Sequence, residues 1–244
     1  SYAIGDYVWV DDENSNKNKN KDGLQNDTRV LEGVTVNLYD GNRNLIDSTT
    51  TDENGRYMFD ELEAGDYYVE FVLTENQAKK YRFTKLTGNG ETHRETDSNA
   101  NPEEGDEYGW TSKITLDDNN EYLTSNEDYD YGNVKATEGI DPTWDAGVIV
   151  KTYAIGDYTW IDTNKDGIQD ADEEVLEGVF VELYNEKDEL IATTETNDEG
   201  LYIFDELVAG TYKVRFVLTE QQAALYEFTQ QFDGNNSTDK SDAN

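Results

Sequence analysis

Apolar and polar side chains alternate with a period of two along most of this chain. Val34, Val36 and Leu38 share one face of a segment, and Thr35, Asn37 and Tyr39 share the other; Tyr67, Val69, Phe71 and Leu73 repeat the pattern. Such alternation sends successive side chains to opposite faces of an extended backbone, so these segments predict half-buried antiparallel strands. Runs of turn-forming residues separate them, at Asp40–Asn42 (DGN), Asp52–Gly55 (DENG) and Glu63–Asp66 (EAGD). Glycine, asparagine and aspartate accept the backbone conformations that a reversal needs. Helical signal is confined to two short stretches. Thr74 with Gln77, and Thr219 with Gln222, have the spacing of a capping box ahead of AKKY and AALY. Many short strands joined by polar turns predict an all-β chain built of β-sandwich domains.

The pattern is written twice. YAIGDYVW (Tyr2–Trp9) returns as YAIGDYTW (Tyr153–Trp160), and LEGVTVNLYD (Leu31–Asp40) returns as LEGVFVELYN (Leu176–Asn185). The long run from Phe59 to Thr84 returns from Phe204 to Thr229 in the same order. Internal repetition at this scale means tandem modules. We expect one unit over residues 1–150 and a second over 151–244, the latter incomplete at its C-terminal end because counterparts of 102–150 do not follow. The chain therefore reads as a piece of something longer. DAGVIVKTYAIGDY joins the last strand of one unit to the first of the next with little slack, and a stiff junction is expected there.

Charge changes the picture next. The 244 residues include 19 Lys+Arg against 55 Asp+Glu, a net charge of −36. An excess of one sign repels itself and opposes compaction, and it excludes nucleic acid and anionic membranes as partners. The alternating, tyrosine-rich segments speak against a disordered acidic chain. A positive component is wanted, and a divalent cation is the simplest. Cysteine is absent, which removes disulfides, thiolate metal sites and cysteine nucleophiles. No stretch has the apolar length of a membrane span, and no signal peptide precedes the first strand.

One loop has the chemistry to hold such a cation. In DTNKDGIQDADE, Asp162, Asn164 and Asp166 stand at positions one, three and five, with Gly167 at six where the chain turns sharply. Ile168 at seven can offer its carbonyl, Asp170 at nine can act directly or through water, and Glu173 at twelve can close the shell with two oxygens. This is the spacing of a calcium loop, in which alternate residues of a tight curl point inward. Calcium takes six to eight oxygens in irregular geometry at roughly 2.3–2.6 Å, whereas magnesium demands an octahedron and zinc prefers histidine and cysteine. The alternative is a solvated acidic turn. Strands, not helices, flank the loop, so it should brace a connection and not open like a sensor.

The first unit carries a degenerate copy. Asp22, Gly23 and Leu24 match Asp166, Gly167 and Ile168, with Asn20 at position three, but a lysine- and asparagine-rich insertion intervenes after Asp11 and Asp12. Position twelve by strict count is Arg29, which cannot coordinate. Asp11 or Asp12 can serve as position one and Asp27 can substitute nearby, giving weaker binding. Asp97 with Asn99, and Asp242 with Asn244, recur as TDSN and SDAN; they are either secondary calcium ligands or Asx turns.

The run IGDYTWIDTNKDGIQDADE…LEGVFVELY…TNDEGLYIFDELVAGTYKVRF resembles the B repeats of the serine–aspartate repeat surface proteins of staphylococci and related Gram-positive bacteria. The resemblance covers both units. It implies tandem CnaB-like (prealbumin/Ig-like) β-sandwich domains that bind calcium, with Asp162, Asn164, Asp166, Asp170, Glu173 and the Ile168 carbonyl as ligands. It also implies an extracellular, wall-anchored location, in a stalk between a ligand-binding region and the wall. Related domains lock themselves with a Lys–Asn isopeptide, but here Val8, Trp9, Thr159 and Trp160 stand where a strand lysine is wanted.

These observations favour calcium-stabilised spacer repeats of a surface adhesin, with calcium ions and neighbouring repeats as partners. The alternative is a module that binds host protein or glycan through exposed aromatics such as Trp110, Trp144 and the DYDYG run. Catalysis is not expected. Carboxylates are abundant but no pair stands out, and the lone histidine, His93, sits in a polar ETHRE segment without a counterpart in the second unit.

Overall fold

The computed structural model describes residues 1–11, 23, 29–86, 97–125 and 134–231. The chain divides into two compact units, Ser1–Lys151 and Thr152–Asn244. The first contains β1 (Tyr2–Val10), β2 (Thr35–Asp40), β3 (Leu45–Thr50), β4 (Arg56–Leu62), β5 (Gly65–Val72), the short helix α1 (Glu75–Lys80), β6 (Tyr81–Phe83), β7 (Ile114–Leu116), β8 (Gly139–Asp141) and β9 (Ala146–Val150). The second contains β10 (Tyr153–Tyr158), β11 (Phe180–Asn185), β12 (Leu190–Glu195), β13 (Leu201–Leu207), β14 (Tyr212–Val217) and α2 (Glu220–Ala223).

Unit one is a sandwich of two sheets. One runs β4-β1-β9-β6, with β8 also paired to β1, and the other runs β3-β2-β5-β7. Their inner faces supply a single core: Ile4, Val8, Tyr57, Phe59 and Val148 from the first sheet meet Val36, Leu38, Val69, Phe71 and Ile114 from the second. The alternation of the sequence is the reason. Val34, Val36 and Leu38 are fully buried while Thr35, Asn37 and Tyr39 are only half-buried. Burying a large apolar side chain contributes roughly 1.5–3 kcal/mol, and β2 buries Val36 and Leu38 while β5 buries Tyr67, Val69 and Phe71. Trp144 belongs to this core. It is 1% exposed, and its indole N–H donates to Asp141 Oδ2 at 3.1 Å, which removes it from any exposed binding face. Trp110 is half-buried and lies 4.5 Å from Tyr39 between ring centroids. The DYDYG run and His93 lie outside the described residues.

Closure of unit one is parallel. β9 pairs with β1 at Val8↔Ala146, Trp9↔Gly147 and Val10↔Val148, and β8 pairs with the start of the same strand at Tyr2↔Gly139. β6 then adds antiparallel to β9. Both expected capping boxes form: Thr74 caps α1 through Gln77, and Thr219 caps α2 through Gln222. Each glutamine also donates to a backbone carbonyl in the preceding loop, Gln77 Nε2 to Glu32 at 2.8 Å and Gln222 Nε2 to Glu177 at 2.9 Å.

Unit two repeats the first half of this plan. β10 pairs with β13, and β12-β11-β14 form the second sheet. Its core is smaller, with Val181, Leu183, Tyr202 and Phe204 at the centre. Among the described residues nothing pairs with the other edge of β10, and Ile203 on the neighbouring β13 is 62% exposed.

Candidate metal centre

The acidic loop of unit two hangs from a fixed neck. Ile161 donates its N–H to the Glu174 carbonyl at 2.7 Å, Leu176 donates to Thr159 at 2.9 Å, and Trp160 bridges Val175. Between these clamps residues 162–173 must curl back within one short excursion. Lys165 and Gly167 adopt positive φ, 61° and 76°, and at Gly167 the absence of a side chain makes that conformation cheap.

The curl turns the side chains of alternate residues towards one another. Asp162 Oδ2 accepts from Gly167 N at 2.9 Å and from Thr229 Oγ1 at 2.6 Å. Asn164 Nδ2 donates to Asp166 Oδ2 at 3.1 Å and to Asp170 Oδ2 at 2.9 Å. Ile168 N–H donates to Asp166 Oδ1 at 2.8 Å. Glu173 reaches back across the loop, with Oε1 on Thr163 N at 2.8 Å and Oε2 on Asp170 N at 3.1 Å. All six residues of the expected ligand set therefore belong to one hydrogen-bonded ring. Two of its carboxylates, Asp162 and Glu173, have pKa values shifted downward. Burial pushes Asp162 up, but hydrogen bonds from Thr229, Gly167, Lys165 and Asp166 outweigh it and hold the group below its ordinary range. The Asp170 and Thr163 amides hold Glu173 low in the same way, against burial and the Asp162 charge.

This donor set fits a hard divalent cation. It consists of oxygens only, four of its side chains are carboxylates, and the one exposed lysine of the loop, Lys165, forms no ion pair in the described structure. Among the described residues no three carboxylates converge on a single point. The amide hydrogens of Asn164 lie between Asp166 and Asp170 instead, and rotation of that amide would exchange them for an oxygen.

In unit one the same network appears around Asp11. Asp11 Oδ2 accepts from Gly23 N at 3.0 Å and from Thr84 Oγ1 at 2.6 Å. Asp11 therefore takes the place of Asp162, Gly23 of Gly167 and Thr84 of Thr229, although aspartate and glycine are twelve residues apart in place of five. Arg29 is displaced from the expected position. Its carbonyl accepts from Val10 N, as Glu174 does from Ile161, so the backbone register sets Arg29 opposite Glu174 and not opposite Glu173. The strict count missed a one-residue difference between the two loops. Asp12, Asn20, Asp22, Leu24, Asp27, Asp242 and Asn244 lie outside the described residues.

Asp97 and Asn99 are buried, 1% and 5% exposed, and they are not surface turns. Ser98 bridges Asp145 in parallel, Asn99 Oδ1 accepts from Asp145 N at 2.7 Å, and Asn99 N donates to the Asp145 carbonyl at 2.8 Å. This segment brings Asp97 beside two acidic residues that sequence reasoning passed over, Asp6 (3% exposed) and Asp145 (0% exposed). Burial first, and then the Asp6 and Asp97 charges, push Asp145 well above the usual carboxylate range. The signal was present in the sequence: Asp6 is in phase with inward-facing Ile4 and Val8, and Asp145 opens an otherwise apolar strand.

Comparison with known proteins matches residues 2–133 and 153–244 to the SdrD B-like domain model. This chain belongs to the SdrD B-like domain family. The B-like repeats are 38% identical over 217 residues to serine-aspartate repeat-containing protein D of Staphylococcus aureus (strain Newman), and 37% identical over 217 residues to protein I of Staphylococcus saprophyticus. Protein C of S. aureus (strain N315) is 38% identical over 216 residues. Each match covers 88% of this chain but only 13%, 10% and 18% of the respective relative, so the chain spans less than a fifth of their length. Among solved structures, the Bacillus anthracis TIE protein matches at a TM-score of 0.45 and 12% identity, over 89% of this chain and 28% of that one. The GBS52 minor pilin of Streptococcus agalactiae matches at a TM-score of 0.26 and 14% identity, over all of this chain and 92% of that one. The family assignment rests on the sequence matches.

Proposed function

We propose that the two B-like repeats are calcium-stabilised spacer modules of a bacterial cell-surface adhesin, holding a ligand-binding region away from the wall. The observation that carries this reading is the hydrogen-bonded ring formed by Asp162, Asn164, Asp166, Ile168, Asp170 and Glu173, whose four carboxylates form no ion pair with a basic side chain among the described residues. Bringing like charges this close in a chain of net charge −36 costs stability, and a doubly charged ion offsets that cost. An ion that binds only the folded form adds about 2.7 kcal/mol when present at a hundred times its dissociation constant. That is a large share of the stability of a small domain. Family membership supports the surface location, and the tandem arrangement supports the spacer role.

Thermal melts of the full chain with calcium and with excess chelator test the reading, together with small-angle scattering in both states. Chelation should lower the melting temperature and expand the chain. An identical melt and an identical radius in both conditions would refute it. The aromatic-binding alternative is weaker in this light. Trp144 is buried, and the ring of Trp110 is covered by the Arg43 guanidinium 4.7 Å from its centroid.

A further inference from the structure

We propose that the unpaired edge of β10 in unit two is a docking site for one extended segment of defined chemistry, a strand like Gly139–Lys151 of unit one, which adds to it in parallel. In unit one that segment follows β1. β8 pairs with the start of β1 at Tyr2↔Gly139, and β9 pairs with its end at Val8↔Ala146, Trp9↔Gly147 and Val10↔Val148. The other side of β9 is closed by β6, at Tyr81↔Val150, Arg82↔Ile149 and Phe83↔Val148. Two further bonds fix the segment: Asp11 N donates to the Val148 carbonyl at 2.7 Å, and Thr84 N donates to the Gly147 carbonyl at 2.9 Å. Unit two keeps both walls of this slot. Tyr153–Ile161 repeats Tyr2–Val10, and Tyr226–Thr229 (YEFT) repeats Tyr81–Thr84 (YRFT). Among the described residues nothing pairs with the facing edge of either wall, and residues 226–228 form no strand.

Burial separates the two slots. Tyr2, Ala3, Trp9 and Phe83 are buried in unit one, whereas their counterparts Tyr153 and Phe228 are 52% and 38% exposed, Ala154 is exposed and Trp160 is half-buried. Apolar surface beside an unpaired strand edge is a template for strand addition, in which main-chain bonds supply affinity and side-chain fit supplies specificity. The filled slot defines what fits the open one. The occupant needs glycine opposite Trp160, because a methyl group at Gly147 would lie 2.8 Å from Trp9 Cζ2 and 2.6 Å from Thr84 Cγ2, and Thr229 repeats Thr84. It also ends on a cation. Lys151 donates from its amide to the Lys80 carbonyl and from Nζ to the Ala78 carbonyl, at the end of α1. The matching carbonyls of Leu225 and Ala223 stand in a unit whose Asp and Glu far outnumber its Lys and Arg, so a terminal lysine complements the local charge. A second copy of this chain offers the same segment only by withdrawing it from its own unit one, which opens a core that includes Trp144, Ala146 and Val148. A segment of this pattern that is not already folded into a module is therefore the occupant.

This inference does not depend on the calcium reading. The test titrates the full chain, in calcium-containing buffer, with a synthetic peptide of residues 139–151 (GIDPTWDAGVIVK) and with the same peptide carrying Gly147→Ala. Amide NMR, scanning calorimetry and sedimentation are the readouts, and the protein itself is unaltered, so its folding is not in question. The first peptide should bind one-to-one and saturably, shift the amide signals of residues 159–162 and 226–229, and raise the melting temperature of unit two while leaving that of unit one unchanged. The Gly147→Ala peptide should bind roughly tenfold more weakly or worse, from overpacking against Trp160 and Thr229. Failure to saturate at millimolar peptide overturns the proposal, and so does equal affinity for the two peptides. Shifts confined to β3 or β12, the outer edges of the other sheets, overturn it as well. A chain that sediments as a dimer, which the peptide neither binds nor dissociates, assigns the edge to a second copy and likewise overturns it.

Discussion

The Asp–Gly–Thr network recurs in both repeats with different burial, which makes Thr84→Val and Thr229→Val a matched pair. Valine keeps the shape of threonine and removes only the hydroxyl. In unit one that hydroxyl is buried and reaches a buried carboxylate, with Thr84 and Asp11 each 1% exposed and 2.6 Å between oxygens. In unit two the same 2.6 Å bond joins half-buried Thr229 and Asp162. A hydrogen bond to a charged group contributes about 1.5–3 kcal/mol, and leaving its buried partner unmatched costs the desolvation of that group. Thr84→Val should therefore destabilise unit one by roughly 2–3 kcal/mol. Where water can replace the lost donor, as at Thr229, roughly 1 kcal/mol is expected. Differential scanning calorimetry of the full chain in chelator, with the two transitions resolved and each converted to a free energy at its own midpoint, provides the comparison. An equal cost at both sites, or a larger cost at Thr229, would refute the reasoning, because burial would then not govern the strength of the bond.

Further outcomes follow from other contacts. A methyl group at Gly147 would lie 2.6 Å from Thr84 Cγ2 and 2.8 Å from Trp9 Cζ2, so Gly147→Ala should overpack the β1–β9 junction and cost about 1–3 kcal/mol, read as a lower urea midpoint. Gln77→Ala removes the acceptor of the Thr74 amide and the tie to the Glu32 carbonyl; a loss of about 1 kcal/mol is expected, and hydrogen exchange at the Thr74 amide should accelerate. The Asn44 side chain and amide hold the Asp40 carboxyl below its ordinary value of 3.8, and Thr115 and Lys113 do the same for Asp66. Their stabilising contribution is present above pH 3.8 and is lost as pH falls through the lower folded values. Carboxyl carbon NMR titration should give midpoints below 3.8 for both; a midpoint at or above it would contradict the bonds described.

Strands, turns and caps were legible in the sequence because each is set by local residues. Val34, Val36 and Leu38 announce an inward face by spacing alone, and Thr74 with Gln77 announces a helix start. The twelve-residue loop was legible for the same reason, since its ligands are neighbours along the chain. The meeting of Asp97, a candidate from its TDSN motif, with Asp6 and Asp145 was not, because it depends on a parallel closure between strands far apart along the chain, which periodicity does not encode. Arg29 was misplaced by counting through a loop whose two copies differ in length by one residue beyond the glycine. Backbone pairing, Val10 with Arg29 and Ile161 with Glu174, corrects the count. Trp144 shows the same limit: an aromatic in an acidic segment looks available for binding until the sheet that buries it is in place.

The central claim is that a divalent ion occupies the loop after Trp160. Long-wavelength diffraction from a crystal of the full chain grown in calcium tests it most directly. The account predicts an anomalous peak at roughly 2.3–2.6 Å from carboxylate oxygens of Asp162, Asp166 and Glu173, with Asn164 turned to present its oxygen. A loop that keeps its Asn164–Asp170 hydrogen bond and shows no peak at millimolar calcium would contradict it.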